Sequence, residues 1–438
     1  MLGLDLSAMT RSITDTPLFH MGGRLKSATG ILTSSLRGAV GDQCAIMPKD
    51  GPSVLAEVIG FKNDLSYLVP YDAADNLQPG MPVVLQGRAL SVPTGPRLLG
   101  RVIDGIGRPL DDKGSLSGCP MQTVNRPAPN ALTRQRIREP FVTGIRAIDS
   151  TLTLGRGQRV GIFAGSGVGK STLLGEIAKG SEADVNVIAL IGERGREVGP
   201  FLEDCLGAAG MARSVVIVAT CEETPLMRVR ATQTAITVAD SFRDEGVNVL
   251  LMIDSLTRLA TAQRELGLML GESPSQRGYT PSVFAVLAKT IERLGNASVG
   301  GITALLTVLV DGDDMDEPIS DAVRSFVDGH IVLDRKIAER NVYPAIDVAR
   351  SISRISLDVV TPEHAKASKK LRAIMATYAD MQDMIRLGQY QRGSDAQVDK
   401  SIELMPQVER FLKQEINERV GYEATRAGLM QLTKAWNF

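Results

Sequence analysis

An apolar run, Val160-Gly161-Ile162-Phe163, gives way at one step to Ala164-Gly165-Ser166-Gly167-Val168-Gly169, and then to Lys170-Ser171-Thr172 at the head of a helical pattern reaching Gly180. This order dictates strand, tight loop and helix. The glycines let successive backbone N–H groups turn inward, and the helix that follows adds the positive end of its dipole. Such a ring of donors is a cradle for phosphate oxygens. Lys170 then reaches the β- and γ-phosphates, and the Ser171 hydroxyl is a magnesium ligand. The usual spacing opens with glycine where this chain has Ala164. A Gly-rich turn with a merely solvated lysine is the competing explanation, and a strand before with a helix after disfavours it.

The runs Val160–Phe163, Val185–Ile191, Val215–Ala219, Val249–Ile253, Ile302–Val310 and Ile331–Leu333 are separated by segments of helix length. Alternation of this kind predicts an α/β domain with a mostly parallel sheet covered on both faces, its ligands at the carboxyl ends of the strands. Ahead of it, from Gly23 to about Leu90, short apolar runs are broken by Gly, Pro, Asp and Asn, the texture of a small β-barrel. Few aromatics and no Arg/Lys clustering in that stretch argue against a nucleic-acid surface. Pro93 to Pro140 is a connector rich in Gly and Pro. From Thr361, an N-cap followed by Pro362, the pattern turns helical: Leu371, Ile374, Tyr378, Met381 and Ile385 form one stripe. Gly388 and Gly393 break it before a second stripe, Ile402, Met405, Phe411, Leu412 and Ile416. The expected division is a segment 1–22, a barrel 23–90, an α/β domain 91–360 and a helical domain 361–438. Leu2, Leu4, Leu6 and Met9 give the first segment only a short apolar stripe.

The 438 residues carry a formal net charge of -1, which supplies no bulk attraction to nucleic acid or to an anionic membrane. Cys44, Cys119, Cys205 and Cys221 are too scattered for a zinc site or a disulfide scaffold, which fits a reducing cytoplasm. The first residues lack the basic and apolar regions of a signal peptide, and no run reaches the roughly 18 apolar residues of a membrane span. Membrane contact is therefore expected only at the periphery, through partners.

Two more strand ends carry chemistry. Val185–Ile191 runs into Gly192-Glu193-Arg194-Gly195-Arg196-Glu197, and a carboxylate there is placed to orient and polarise a water attacking a γ-phosphate. Glu193 is the candidate; a solvated loop of alternating charge is the bland alternative. Val249-Leu250-Leu251-Met252-Ile253-Asp254 is a buried strand ending in an acid, the form of a Walker B element, with Asp254 holding magnesium directly or through water. A cation for the charge on the transferred phosphoryl group completes such a site, and Arg350 and Arg354 are the candidates. Together these are the parts for hydrolysis of a nucleoside triphosphate such as ATP.

In combination the motifs resemble the catalytic β and non-catalytic α subunits of rotary ATP synthases and their relatives. GERGRE is similar to the catalytic-glutamate loop of the β type, and YPAIDVARSISR (Tyr343 to Arg354) to the segment bearing the adenine-stacking tyrosine and the arginine finger. LGRVIDGIGRPLD, TGIRAIDSTLTLGRGQRVGIFAG and GYTPSVF resemble further stretches of the superfamily. Within it, AGSGVGKS, the segment Asp311 to Arg335 and GQYQRGSD (Gly388 to Asp395) resemble the flagellar and type III secretion export ATPases.

The resemblance implies a RecA-like P-loop ATPase. Gly165, Ser166, Gly167, Val168, Gly169, Lys170, Ser171 and Thr172 bind phosphate, Ser171 and Asp254 serve the metal, and Glu193 activates water. Arg194 contacts phosphate, Tyr343 packs on adenine, and Arg354 is the finger donated across a subunit boundary. It further implies a homohexamer at the cytoplasmic face of a bacterial export apparatus. The expected partners are a stator-like regulator at the N-terminal segment, central stalk and export gate proteins, and export substrates with their chaperones. Competing readings are an injectisome ATPase, a rotary ATP synthase catalytic subunit, an RNA translocase of the termination-factor type and a nucleotide-binding subunit that does not turn over. Glu193 argues against the last, and the unadorned barrel against the translocase.

Overall fold

In the computed structural model, residues 22–28, 31–310, 312 and 314–437 are described. The N-terminal segment, with its apolar stripe Leu2, Leu4, Leu6 and Met9, lies outside them except for Gly22. The chain divides into two compact units, one ending at Leu90 and one beginning at Ser91.

The first unit is a closed six-stranded barrel of β1 (Gly22–Ser27), β2 (Leu32–Ser34), β3 (Asp42–Ile46), β4 (Val54–Lys62), β5 (Leu65–Pro70) and β6 (Pro82–Ala89), ordered β1-β2-β5-β4-β3-β6. Its strands are short and antiparallel, and Leu25, Leu36, Cys44, Ile46, Val58, Leu68 and Val83 fill the interior. Closure leaves no unpaired edge, so so short a sheet can stand by itself.

The second unit is built on a sheet whose main path includes β7 (Val102–Ile103), β8 (Arg159–Ala164), β9 (Val185–Ile191), β10 (Ser214–Ala219), β11 (Asn248–Asp254), β12 (Gly301–Leu309), β13 (Gly329–Leu333) and β14 (Ile346–Ser353). Their order is β14-β13-β8-β12-β11-β9-β10-β7, parallel except for the edge strand β14, which runs against β13. Every residue of β9 and β10 is buried, as expected of strands covered on both faces. Two elements were not legible as strands. β7 lies in the Gly/Pro-rich connector and is drawn into the sheet by pairing with β10; β14 carries the Arg350 and Arg354 segment.

Helices α1 (Lys170–Gly180) and α2 (Leu256–Met269) follow β8 and β11, and α3 (Pro362–Arg386), α4 (Ala396–Leu412) and α5 (Tyr422–Thr433) come after the sheet. Thr361 caps α3 by accepting the His364 N–H, with Pro362 in its first turn. Gly388 and Gly393 take φ of 68° and 93° between α3 and α4, a conformation that favours glycine. Leu371, Ile374, Leu404, Val408, Leu429 and Trp436 form the helical core. The expected second stripe extends too far by one residue: Ile416 lies beyond the end of α4 and is 66% exposed.

Candidate functional site

The register of the parallel strands decides which side chains meet. Ala164 pairs with Leu309, Ile253 with Leu306, and Leu190 with Asp254, so the ends of β8, β12, β11 and β9 lie along one edge. From this edge rise the phosphate loop, Asp254 and Glu193. Asp254 is the last residue of its strand, and Glu193 is two residues past the end of β9, after Gly192 at φ 66°.

The loop takes the conformation its glycines permit. Gly167 and Gly169 have φ of 78° and 85°, and Gly169 is the N-cap of α1. Val168 turns inward and is buried, whereas Ser166, Gly167, Ser171 and Thr172 are exposed. α1 is held to the sheet by Leu173, Leu174, Ile177 and Ala178, which fixes the direction of its N-terminus. A cavity of about 470 Å³ opens over this N-terminus, walled by Gly165, Ser166, Gly167, Gly169, Lys170, Ser171 and Thr172 on one side and Glu193, Arg194 and Arg258 on another.

Behind its wall three charges converge. The Lys170 ammonium donates to Asp254 Oδ1 and lies 3.4 Å from Glu193 Oε1. Asp254 is nearly fully buried, and Thr307 Oγ1 donates to the same Oδ1 at 2.7 Å. Burial pushes the Glu193 carboxyl above its ordinary range; the charge of Asp254 adds to this, while Lys170 opposes both. A carboxylate made more basic than usual in the wall of this cavity is suited to accept a proton. The residues also fit a divalent cation. The Ser171 hydroxyl and the Asp254 carboxylate are hard oxygen donors that would hold such a cation, and its charge would offset the loss of Lys170 from the two carboxylates.

Arg194 reaches the same cavity with a largely exposed side chain, 3.7 Å from Glu197. Arg258, on α2, was not singled out by sequence reasoning. It stands against Gly192, where an added Cβ would lie 2.8 Å from the Arg258 Cβ. Its only signal in the sequence is its place four residues after Asp254, one helical turn into the segment the acid introduces.

Beside the phosphate cavity lies a second of about 350 Å³, shared by Gly167, Gly169 and Thr172 with Tyr343, Gln414 and Ile416. An added Cβ on Gly169 would sit 3.4 Å from the Tyr343 ring, so glycine lets the aromatic face close on the loop. The Tyr343 carbonyl accepts the Gln414 N–H at 2.9 Å, which ties the ring to the segment after α4. Gln414 spends its amide internally: Oε1 accepts from the Arg146 N–H, and Nε2 donates to the Gly144 and Glu418 carbonyls. A flat apolar slot with a tyrosine wall, opening onto a phosphate cradle, has the shape for a nucleobase. Ile416, read as a core residue from its spacing, is a wall of this slot.

Arg354 is not brought to this edge, whereas Arg350 reaches it beside Asp334, the residue after Leu333, which pairs with Ala164. Ser353 pairs with Gly329, and Gly329 with Val160, so Arg354 follows the strand past the start of β8 while the phosphate loop follows its end. Val160 to Ala164 alone spans about 13 Å. The Arg354 side chain is exposed, its Nη2 3.4 Å from the Arg324 carbonyl. Arg350 is half-exposed and lies 3.5 Å from Asp334.

Residues 144–353 match the ATP synthase alpha/beta family, nucleotide-binding domain, and residues 360–431 match the T3SS EscN ATPase C-terminal domain. The chain is 48% identical over 432 residues to a flagellum-specific ATP synthase of Bacillus subtilis (strain 168), covering 97% of this chain and 99% of that protein. To a type 3 secretion system ATPase of Xanthomonas euvesicatoria it is 44% identical over 406 residues, 92% of each. The fold superimposes on the assembled ATPase EscN from the enteropathogenic E. coli type III secretion system with a TM-score of 0.89 and 43% identity, over 94% of this chain and all of that one. EscN in complex with its central stalk EscO gives a TM-score of 0.87.

Proposed function

The chain belongs to the family of flagellum-specific ATP synthases and type 3 secretion system ATPases, and from that premise we propose that it hydrolyses magnesium-bound ATP to drive type III export of flagellar proteins. The triphosphate lies along the loop Gly165–Gly169 with Lys170 on its β- and γ-phosphates, and Tyr343 packs on the adenine. Ser171 and Asp254 would hold the metal, with Thr172 beside Ser171. The bound metal supplies charge neutralisation of the phosphate oxygens. Glu193 orients a water and accepts its proton, and Arg194 contacts phosphate. Arg354 neutralises charge on the transferred phosphoryl group of a neighbouring subunit.

One observation carries this reading. Lys170, Asp254 and Glu193 converge at one edge of the sheet, while Arg354 leaves from the opposite edge. A chain that holds both halves of a site, facing apart, is completed by an identical neighbour in a head-to-tail ring. The ring is taken to be a homohexamer, and EscN, which this chain resembles, is an assembled ATPase. In the same reading residues 23–90 are the barrel domain, 91–360 the ATPase domain and 361–438 the helical domain. A central stalk meets the ring, as EscO meets EscN, a stator-like partner holds residues 1–22, and contact with membrane is peripheral, through partners at the cytoplasmic face. Among the described residues no helix is long and apolar enough to cross a membrane.

The test separates binding from turnover. Lys170→Ala is expected to abolish tight ATP binding, and Glu193→Gln to keep binding and lose hydrolysis. Hydrolysis by Glu193→Gln at the parental rate would remove Glu193 from the mechanism. Insensitivity of the ATPase rate to added RNA, with a steep rise in rate with protein concentration, favours the export ring over a translocase.

A further inference from the structure

A third cavity, of about 360 Å³, lies between β14, the segment Ser150–Thr153 and α3. No aspartate or glutamate lines it, yet three cationic side chains do: Arg354, Lys369 and Arg372. Among the described residues none of the three forms an ion pair. Arg372 gives its N–H groups to the main-chain carbonyls of Thr151, Val348 and Ser351, and Asp347 is the carboxylate whose charge bears on it. Lys369 is exposed. Carbonyl oxygens orient a guanidinium without cancelling its charge, so the wall carries net positive charge in a partly enclosed space, where Coulomb attraction is less screened than on an open surface.

A further group points to an occupant. Ser150 is fully buried and lines the cavity, and its Oγ has no hydrogen-bond partner, although its carbonyl accepts from His364 Nε2 at 2.9 Å. A buried hydroxyl left unsatisfied is destabilising and calls for a bonding partner. Burial lowers the affinity of His364 for a proton, so the imidazole adds no charge to the wall near neutrality. The wall thus offers one buried hydroxyl, one guanidinium fixed by carbonyls and two exposed cations. A tetrahedral oxyanion meets them, presenting several acceptors and a dispersed negative charge.

We infer that this cavity is a second anion site of the chain, taking a phosphate-class oxyanion between Ser150, Lys369, Arg372 and Arg354. It is separate from the phosphate loop, which lies beyond the opposite end of β8. Because Arg354 is one of its walls, an anion here and a neighbour's phosphate compete for one guanidinium. This consequence rests on the reading that Arg354 is donated across a subunit boundary; the site itself does not.

The test uses the full chain carrying Lys170→Ala, which silences the phosphate loop, titrated with inorganic phosphate by calorimetry. Saturable binding is expected, about tenfold weaker when Lys369→Gln is added and weaker again with Ser150→Ala. Equal binding with and without Lys369 overturns the site. ADP as a second titrant decides whether the anion comes free or on a nucleotide, and Lys369-dependent binding of either supports the site. In the parental enzyme, phosphate is expected to inhibit ATP hydrolysis with a component that ATP does not relieve and Lys369→Gln removes. Lys369-dependent binding with purely competitive inhibition keeps the site and overturns its competition for Arg354.

Discussion

Mixing two inactive variants puts the division of labour between the two edges of the sheet to a quantitative test. On the proposed reading, Glu193→Gln removes the proton acceptor and leaves Arg354, and Arg354→Ala removes the finger and leaves Glu193. Each ring of a single variant is expected to lose about three orders of magnitude or more in turnover, the scale of a phosphoryl-transfer arginine. In a mixed ring a site works when a Glu193-bearing chain faces an Arg354-bearing neighbour. For random assembly this probability is the product of the two fractions, largest at equal mixing, where about a quarter of the parental rate returns. The figure follows from the register: Arg354 follows Ser353, level with Val160, whereas Lys170, Glu193 and Asp254 follow the other strand ends, so no chain can supply both to one site. The assay is steady-state phosphate release after dissociating and reassembling the two variants at ratios from 1:9 to 9:1. Zero recovery at all ratios, or a maximum away from equal mixing, refutes donation across the boundary. Recovery in Arg354→Ala alone would show that Arg354 is not the finger and would direct attention to Arg350.

Four other outcomes follow from the geometry. Tyr343→Ala is expected to raise the KM for ATP about tenfold with little change in kcat, since a base-stacking aromatic contributes roughly 1–3 kcal/mol; an unchanged KM would separate Tyr343 from the base. Gly192→Ala forces a left-handed residue at a cost of about 1–2 kcal/mol and drives a Cβ against Arg258, so both melting temperature and kcat should fall; a silent substitution contradicts the close approach. Because burial raises the Glu193 carboxyl and the base must be ionised, activity should fall on the acid side at a pH above the ordinary glutamate value of about 4.3, and a limb at or below it would contradict the burial argument. Burial also pushes Asp149 up to about 7 against hydrogen bonds from Thr143 and Gly144. Its folded pKa exceeds its unfolded one, so its stabilising share is complete below about 4 and is lost as pH rises through about 7; the melting temperature of Asp149→Asn should vary less across that window.

What the amino-acid order determined by itself was local and periodic. The step from Phe163 to glycines and then Lys170 can be met only by strand, loop and helix. The continuous apolar runs of β8, β9, β10 and β11 predict buried parallel strands, because a strand covered on both faces has no polar side. Thr361-Pro362 starts a helix for reasons contained within one turn. The tertiary structure alone decided what depends on register between distant segments. It set Asp254 level with Leu190, brought Lys170 between two carboxylates, and folded Gln414 and Ile416, 71 and 73 residues downstream of Tyr343, against the same slot. It drew β7 out of a Gly/Pro connector, and it ran β14 antiparallel, which carried Arg354 away from its own phosphate loop. Strand pairing is a nonlocal choice: each hydrogen-bonded partner is fixed by the closest packing of two whole surfaces, and no window of sequence contains both.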